Sequence, residues 1–253
     1  MTYCLAIVTD TGLVFVSDSR TNAGVDMVST YSKMYSFGIP GERQFTLLTS
    51  GNLATSQSVI SHIKKDIKMS KRNIFTMEHM TDVAEYLGEI NTEEQDKTPS
   101  ANVNVQSYFI VGGQILDHKP AVSLVYPQGN YISTSSDTTY LQIGESKYGK
   151  PILDRILTPK VSQETAAMCA LVSMDSTIRS NLSVGPPVEL SIYAKDSLQL
   201  GKYYRFEEDS EYLRHLKKSW DQLLTDAFKK LPPVAWSGTW DREDDFGFNG
   251  RPN

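Results

Sequence analysis

The sequence predicts an α+β fold in which two β-sheets stack face to face and helices cover both outer faces, a four-layer αββα sandwich with a C-terminal helical extension. Three observations predict it. Strand-forming segments open the chain, two helical stretches follow, and the same succession of strands and then two helices returns before a final strand. That order suits neither an alternating βαβ sheet nor a helix bundle.

The elements follow from local pattern. Thr2 to Val8 is apolar and rich in strand formers, Thr9-Asp10-Thr11-Gly12 is a turn, and Leu13 to Ser17 is apolar again, which reads as a hairpin tying the chain's first residues into a sheet. Ser32 to Phe37 leads through Gly38-Ile39-Pro40-Gly41 into a strand over Phe45 to Thr49. Leu53, Val59, Ile60, Ile63 and Ile67 then recur mostly at three- and four-residue steps, and a second helix is expected from Thr76 to Ile90. Strands return at Asn102 to Val111, ended by Gly112-Gly113, at Ala121 to Tyr126 and at Tyr131 to Thr134, the last two joined by a turn over Pro127 to Asn130. Helical spacing resumes at Tyr148, Ile152, Leu153 and Ile156, and again from Ala166 to Ile178 with Ser162 as N-cap. Val188 to Ala194 closes the core. Tyr212, Leu213, Leu216, Trp220, Leu223, Leu224 and Phe228 form one stripe of an amphipathic helix that stops at Leu231-Pro232-Pro233, before a tail with Trp236, Trp240 and the acidic run Asp241 to Asp245. Residues 2–200 are expected to form the main domain, and residues 201–253 a helix and tail for packing or assembly.

Composition excludes several classes of function. The chain has 253 residues, 40% of them hydrophobic, enough for a sizeable core. Lys and Arg total 25 against 30 Asp and Glu, a net charge of -5 without a basic block, so no nucleic-acid partner is expected. No secretory leader and no run of about 18 apolar residues is present, so a soluble, unexported, cytoplasmic protein without a membrane partner is expected. Cys4 and Cys169 lie far apart among apolar neighbours and read as reduced core thiols, and Asn181-Leu182-Ser183 is then no glycosylation site. The four histidines, His62, His79, His118 and His215, lack metal-ligand spacing, so neither a metal nor any cofactor is expected. Gly144 to Lys150 reads G-x-x-x-x-G-K between a strand and a helix, but Pro151 stands where a phosphate loop needs Ser or Thr for magnesium.

One constellation points to chemistry. A Thr hydroxyl is a poor nucleophile that gains strength when it belongs to the first residue, whose free α-amine takes its proton. Removal of Met1 would place Thr2 there. Asp18 ends the second strand of the hairpin beside the start of the first, and Lys33 begins another strand, where an ammonium would favour the deprotonated amine and hydroxyl while Asp18 orients it. Gly51 stands where a strand meets a helix, with its N–H available to a developing oxyanion.

The opening MTYCLAIVTDTGLVFVSDSR, Lys33, and Thr49-Ser50-Gly51 before a helix resemble proteasome β-subunits and their bacterial relative HslV. The nearest resemblance is to the bacterial ancestral β-subunit family, Anbu, which shares the Met-Thr-Tyr-Cys opening and the run from Asp18 to Asp26. It covers Thr2 to Ala194 and is expected to extend to the C-terminal segment. The resemblance implies an N-terminal nucleophile hydrolase, a threonine-type peptidase or amidase acting on peptide bonds. Thr2 would be its nucleophile, Asp18 and Lys33 the activating pair and Gly51 the oxyanion donor. Ser146, in Gly144 to Gly149, and Asp175 would support the amine. Arg20 would be a structural partner, and Ser180 and Ser183 supporting groups.

The sequence departs from the proteasome pattern in a Thr-to-Lys spacing one residue shorter, and in Ser176-Thr177-Ile178-Arg179-Ser180 where Ser-Gly-Gly is expected after Asp175. These departures and the long C-terminal appendage keep open the alternative of a weakly active or inactive self-assembling structural subunit of the same fold; a third reading is an amidohydrolase of the same superfamily acting on a small amide. A homo-oligomer, ring or open spiral, is implied on either main reading, with a peptide or protein substrate and an unidentified regulatory partner.

Overall fold

The computed structural model describes residues 1–22, 28–97 and 104–232, which fall into two compact units divided after Ser210. The expected Trp236, Trp240 and the acidic run Asp241 to Asp245 lie outside the described residues, as do residues 23–26 of the Asp18 to Asp26 motif.

The first unit holds two five-stranded sheets in which every neighbouring pair is antiparallel. The opening hairpin forms β1 (Tyr3–Thr9) and β2 (Gly12–Asp18) in register Cys4 to Ser17. These strands sit at the centre of the first sheet, flanked by β10 (Tyr140–Gly144) on one side and by β11 (Val188–Ala194) and β12 (Lys202–Phe206) on the other. The second sheet runs β5 (Met34–Ile39), β6 (Arg43–Gly51), β7 (Ser107–Ile115), β8 (Ala121–Val125), β9 (Tyr131–Ser133). A short ribbon, β3 (Arg20–Asn22) with β4 (Val28–Thr30), lies between β2 and β5 in the chain.

Strand alternation sorts side chains between the layers. On β6 and β7, Phe45, Leu47, Phe109 and Val111 face α1 (Leu53–Met69) and α2 (Met80–Asp96) in one core cluster, whereas Leu48 and Ile110 point the other way, into a cluster with Cys4, Ala6 and Phe15 of the first sheet. On β1, Cys4 and Ala6 face that inter-sheet core, and Tyr3 reaches outward to bond Ser173 on α4 (Gln163–Ser180) at 2.7 Å. With α3 (Lys150–Ile156) packed on α4, the layers are helix, sheet, sheet, helix. Burial of both sheet faces explains why the strands read as continuous apolar runs such as Leu5-Ala6-Ile7-Val8. Ser162 caps α4 as expected, its hydroxyl accepting from the Thr165 amide at 3.1 Å.

The structure corrects three expectations. Gly112 and Gly113 do not end a strand: they lie inside β7, where a Cβ on Gly112 would come within 2.7 Å of the Phe15 ring and one on Gly113 within 2.1 Å of the Gln44 carbonyl. Thr76 does not start the second helix but belongs to a short 3-10 turn, Ile74–Thr76, with Asn73 and Thr76 capping each other, and α2 runs on to Asp96. The sheet does not close at Ala194, because β12 pairs with β11 and carries the first unit past residue 200.

The second unit is described through α5 (Glu211–Lys229), matching the expected amphipathic helix. Among the described residues no helix is long and apolar enough to cross a membrane. Both cysteines are buried free thiols; burial pushes Cys4 well above the usual thiol range and Cys169 up to about 11, so neither suits nucleophilic work.

Gly112→Ala should force Phe15 or Val122 out of its rotamer and cost about 1–3 kcal/mol, measurable as a lower urea midpoint at unchanged slope.

Candidate functional site

Four chain segments meet at one end of the sandwich: the start of β1, the end of β2, the entry to β5 and the end of β6. Thr2 precedes β1 and its carbonyl accepts from the Glu145 amide at 2.7 Å. Close approach here depends on Gly144, which has a φ of +83° and whose Cβ, were there one, would lie 1.9 Å from the Thr2 oxygen. Tyr3, the next residue, donates its backbone N–H to Asp18 Oδ1 at 3.0 Å. The first residues are thus pinned on both sides, leaving Thr2 9% exposed while Met1 is 65% exposed.

Asp18 is fully buried, so its charge needs partners to replace water. Lys33 Nζ donates to Asp18 Oδ1 at 2.7 Å, and the Gly185 amide donates to Oδ2 at 3.2 Å. Burial pushes the Asp18 carboxyl above the usual range, and Lys33 with the Tyr3 and Gly185 amides opposes the rise. The Lys33 ammonium is held from a second direction by the Arg20 carbonyl at 2.6 Å, and its backbone carbonyl accepts from the Thr49 amide at 3.0 Å. Arg20 therefore contributes its main chain to the cluster. Its guanidinium donates to the Leu182 carbonyl at 3.1 Å and fills the space where a side chain on Gly185 would stand.

Thr2, Lys33 and Gly51 line one cleft of about 770 Å³ together with Tyr108, Leu124 and Tyr126. Gly51 takes a φ of +96° at the end of β6, and a Cβ there would meet the Gln106 carbonyl at 2.4 Å. The next residue, Asn52, caps α1 through its side chain, accepting from the Thr55 amide at 3.1 Å, so the positive end of that helix dipole lies just behind Gly51. The α-amine of the intact chain is lowered from its ordinary value, first by burial and then by Lys33, with Asp18 and Glu145 opposing.

The other sequence candidates do not line this cleft. Ser146 lies one residue beyond the amide that holds Thr2, on the loop after β10. Asp175 sits on α4 in an ion pair with Arg179 at 3.3 Å. Ser180 is exposed at the end of α4, and the Ser183 amide donates to the Asn181 side chain. Sequence reading missed the Glu145 and Gly185 amides, since a backbone donor has no side-chain signature; Gly185 before Pro186-Pro187 was the only local hint. It also missed that α1 and α2 bring His62, Glu93 and Glu94 together, although the Lys97 ammonium already bonds both carboxylates, at 3.0 and 2.6 Å.

Two antiparallel sheets face to face between helix layers, opening at one end onto the N-terminus of a central strand, define the proteasome-like class of α+β sandwiches. The proteasome subunit family model matches residues 2–193. The chain belongs to that family, on its ancestral β-subunit (Anbu) branch. It is 42% identical to Anbu from Yersinia bercovieri, with 92% of this chain and 98% of that one covered at a TM-score of 0.87. It is 44% identical to the chain of the helical assembly of the Anbu complex from Pseudomonas aeruginosa, covering 94% and 100% at a TM-score of 0.89. Anbu from Hyphomicrobium sp. strain MC1 is 40% identical, covering 92% and 99% at a TM-score of 0.86. Curated protein sequences give no match.

Lys33→Met would leave the Asp18 carboxyl buried without its cation and should cost about 3–5 kcal/mol at neutral pH. The raised Asp18 pKa sets the sign of the pH effect: the penalty should shrink as pH falls and the carboxyl takes up a proton, which urea unfolding of both proteins from pH 7 to pH 4 would reveal.

Proposed function

We propose that the chain is a threonine-type peptidase or amidase subunit whose nucleophile is Thr2, exposed by removal of Met1. The observation that carries this reading is the buried Lys33 ammonium, fixed on Asp18 and on the Arg20 carbonyl, in the same cleft as Thr2. After processing, the Thr2 α-amine takes the proton of its own hydroxyl, and Oγ1 attacks the carbonyl carbon of a peptide or amide. Lys33 favours the deprotonated forms of both groups without itself giving up a proton, and Asp18 holds it there. The Gly51 N–H, with the start of α1 behind it, stabilises the oxyanion. Collapse breaks the C–N bond, the departing nitrogen takes the proton from the amine, and water then hydrolyses the acyl ester on Thr2. Tyr108, Leu124 and Tyr126 offer an apolar wall for a substrate side chain. Self-association in the cytoplasm fits the helical assembly described for the Pseudomonas relative.

A second reading, a self-assembling subunit with little turnover, is favoured by one observation: Ser176-Thr177-Ile178-Arg179-Ser180 stands where the proteasome pattern has Ser-Gly-Gly after Asp175.

Protein made in cells should show an intact mass without Met1 and should gain one peptidyl epoxyketone per chain, bridging the Thr2 hydroxyl and amine; Thr2→Ala should gain none. Retention of Met1 would sink the proposal, because an acylated nitrogen cannot act as base. The adduct rate should rise with pH as the Thr2 ammonium loses its proton, at a pH below the ordinary α-amine range, since the Lys33 ammonium lines the same cleft and disfavours a second positive charge there. Lys33→Ala should move that limb to higher pH as well as lower the plateau.

A further inference from the structure

Beside the Lys33–Asp18 pair a second carboxylate is buried. Glu189 lies on β11, opposite Ser17 on β2 and Arg205 on β12, and is 2% exposed. Hydroxyls replace its water. Oε2 accepts from Ser17 Oγ at 3.4 Å, from Ser19 Oγ at 3.3 Å and from Ser32 Oγ at 2.8 Å. Oε1 accepts from Ser32 Oγ at 3.0 Å and from the Tyr203 phenol at 2.5 Å, with Arg205 Nη1 at 3.8 Å. Burial and this carboxylate push the Tyr203 phenol up to about 12, so it remains a donor.

The chain positions of these donors matter more than their number. Ser17 and Ser19 flank Asp18, and Ser32 immediately precedes Lys33. Neighbouring residues of an extended chain point to opposite sides. One carboxylate therefore grips the backbone on both sides of Asp18 and next to Lys33 from behind, while the ion pair closes on the side of Thr2. Ser32 is held further because its Oγ, with its proton on Glu189, accepts from the Met34 amide at 3.3 Å.

We infer that Glu189 is the positioning residue of the Thr2 site, a buried hub that sets the separation of Lys33 and Asp18 through Ser17, Ser19 and Ser32 without touching substrate. This rests on the proposed role of that pair. β12 gains a purpose from it, because Tyr203 and Arg205 cover the carboxylate that the inner strands alone would leave open at the sheet edge.

The test compares Glu189→Ala, Glu189→Gln and Ser32→Ala with Gln114→Ala, which removes a buried polar hub bonded to Asp196, His118 and Tyr193 instead. In the full chain with Met1 removed, Glu189→Ala should slow epoxyketone addition about 100-fold, the penalty of a small displacement of catalytic groups, with the reagent's binding constant unchanged. Glu189→Gln should restore most of the rate, Ser32→Ala should fall between, and Gln114→Ala should react like wild type whatever it loses in melting temperature. Crystal structures of Glu189→Ala and Ser32→Ala supply a readout independent of turnover: Lys33 Nζ should leave hydrogen-bond distance of Asp18. If the pair stays in place, or if Gln114→Ala slows addition as much as Glu189→Ala, the inference fails. Should wild type prove unreactive while the pair still separates in the variants, the positioning role stands and the proposed chemistry falls. Should Glu189→Ala not fold, Glu189→Gln and Ser32→Ala decide the matter by the same distances.

Discussion

A lysine ammonium and an aspartate carboxylate, 2.7 Å apart and almost without solvent, join the two sheets at their open end. Asp18 closes β2 in one sheet, and Lys33 leads into β5 in the other. Facing sheets are about 10 Å apart, a gap that a long lysine stem can cross and that a short carboxylate can meet. Removed from water, neither charge is tolerable alone. The site accordingly supplies the amides of Tyr3 and Gly185 to the carboxylate and the Arg20 carbonyl to the ammonium. A buried ion pair is often no more stabilising than an apolar pair of the same shape. Its presence here is better understood as holding a positive charge beside the N-terminus than as holding the fold together.

Absent side chains shape the site as much as present ones. Gly144 lets the β10 backbone close on the Thr2 carbonyl, and Gly51 lets the end of β6 approach Gln106 while the chain turns toward α1. Both have positive φ, so any other residue would be strained as well as crowded. Gly112 does a related service inside the sandwich by giving Phe15 of the facing sheet somewhere to go.

Much of this was legible in the sequence. The β1–β2 hairpin, α1, the Ser162 cap and the convergence of Thr2, Asp18, Lys33 and Gly51 all follow from local pattern joined to a family resemblance. What escaped has a physical reason in each case. β12 reads Lys-Tyr-Tyr-Arg-Phe, an edge strand with no continuous apolar run, and β3 and β4 are only three residues each. Gly112-Gly113 imitates a turn because local reading cannot see a facing aromatic ring. Glu189 looked like any polar residue in a strand, since its serine partners are gathered from distant segments. Ser146, Asp175, Ser180 and Ser183 came from resemblance alone, and they stand off the cleft wall.

The first sheet takes its strands from far apart in the chain, and this orders events in time. β1 and β2 are made first, but the Glu145 amide that fastens Thr2 and the Gly185 amide that completes the shell of Asp18 emerge much later. At about 5–20 residues per second of synthesis, that interval is on the order of 10 s. Throughout it the nascent end has no β10 to close over it and stays open to an aminopeptidase. The trimming proposed for Met1 would meet a loose terminus during that interval, before β10 fastens the Thr2 carbonyl and the Gly185 amide completes the shell of Asp18.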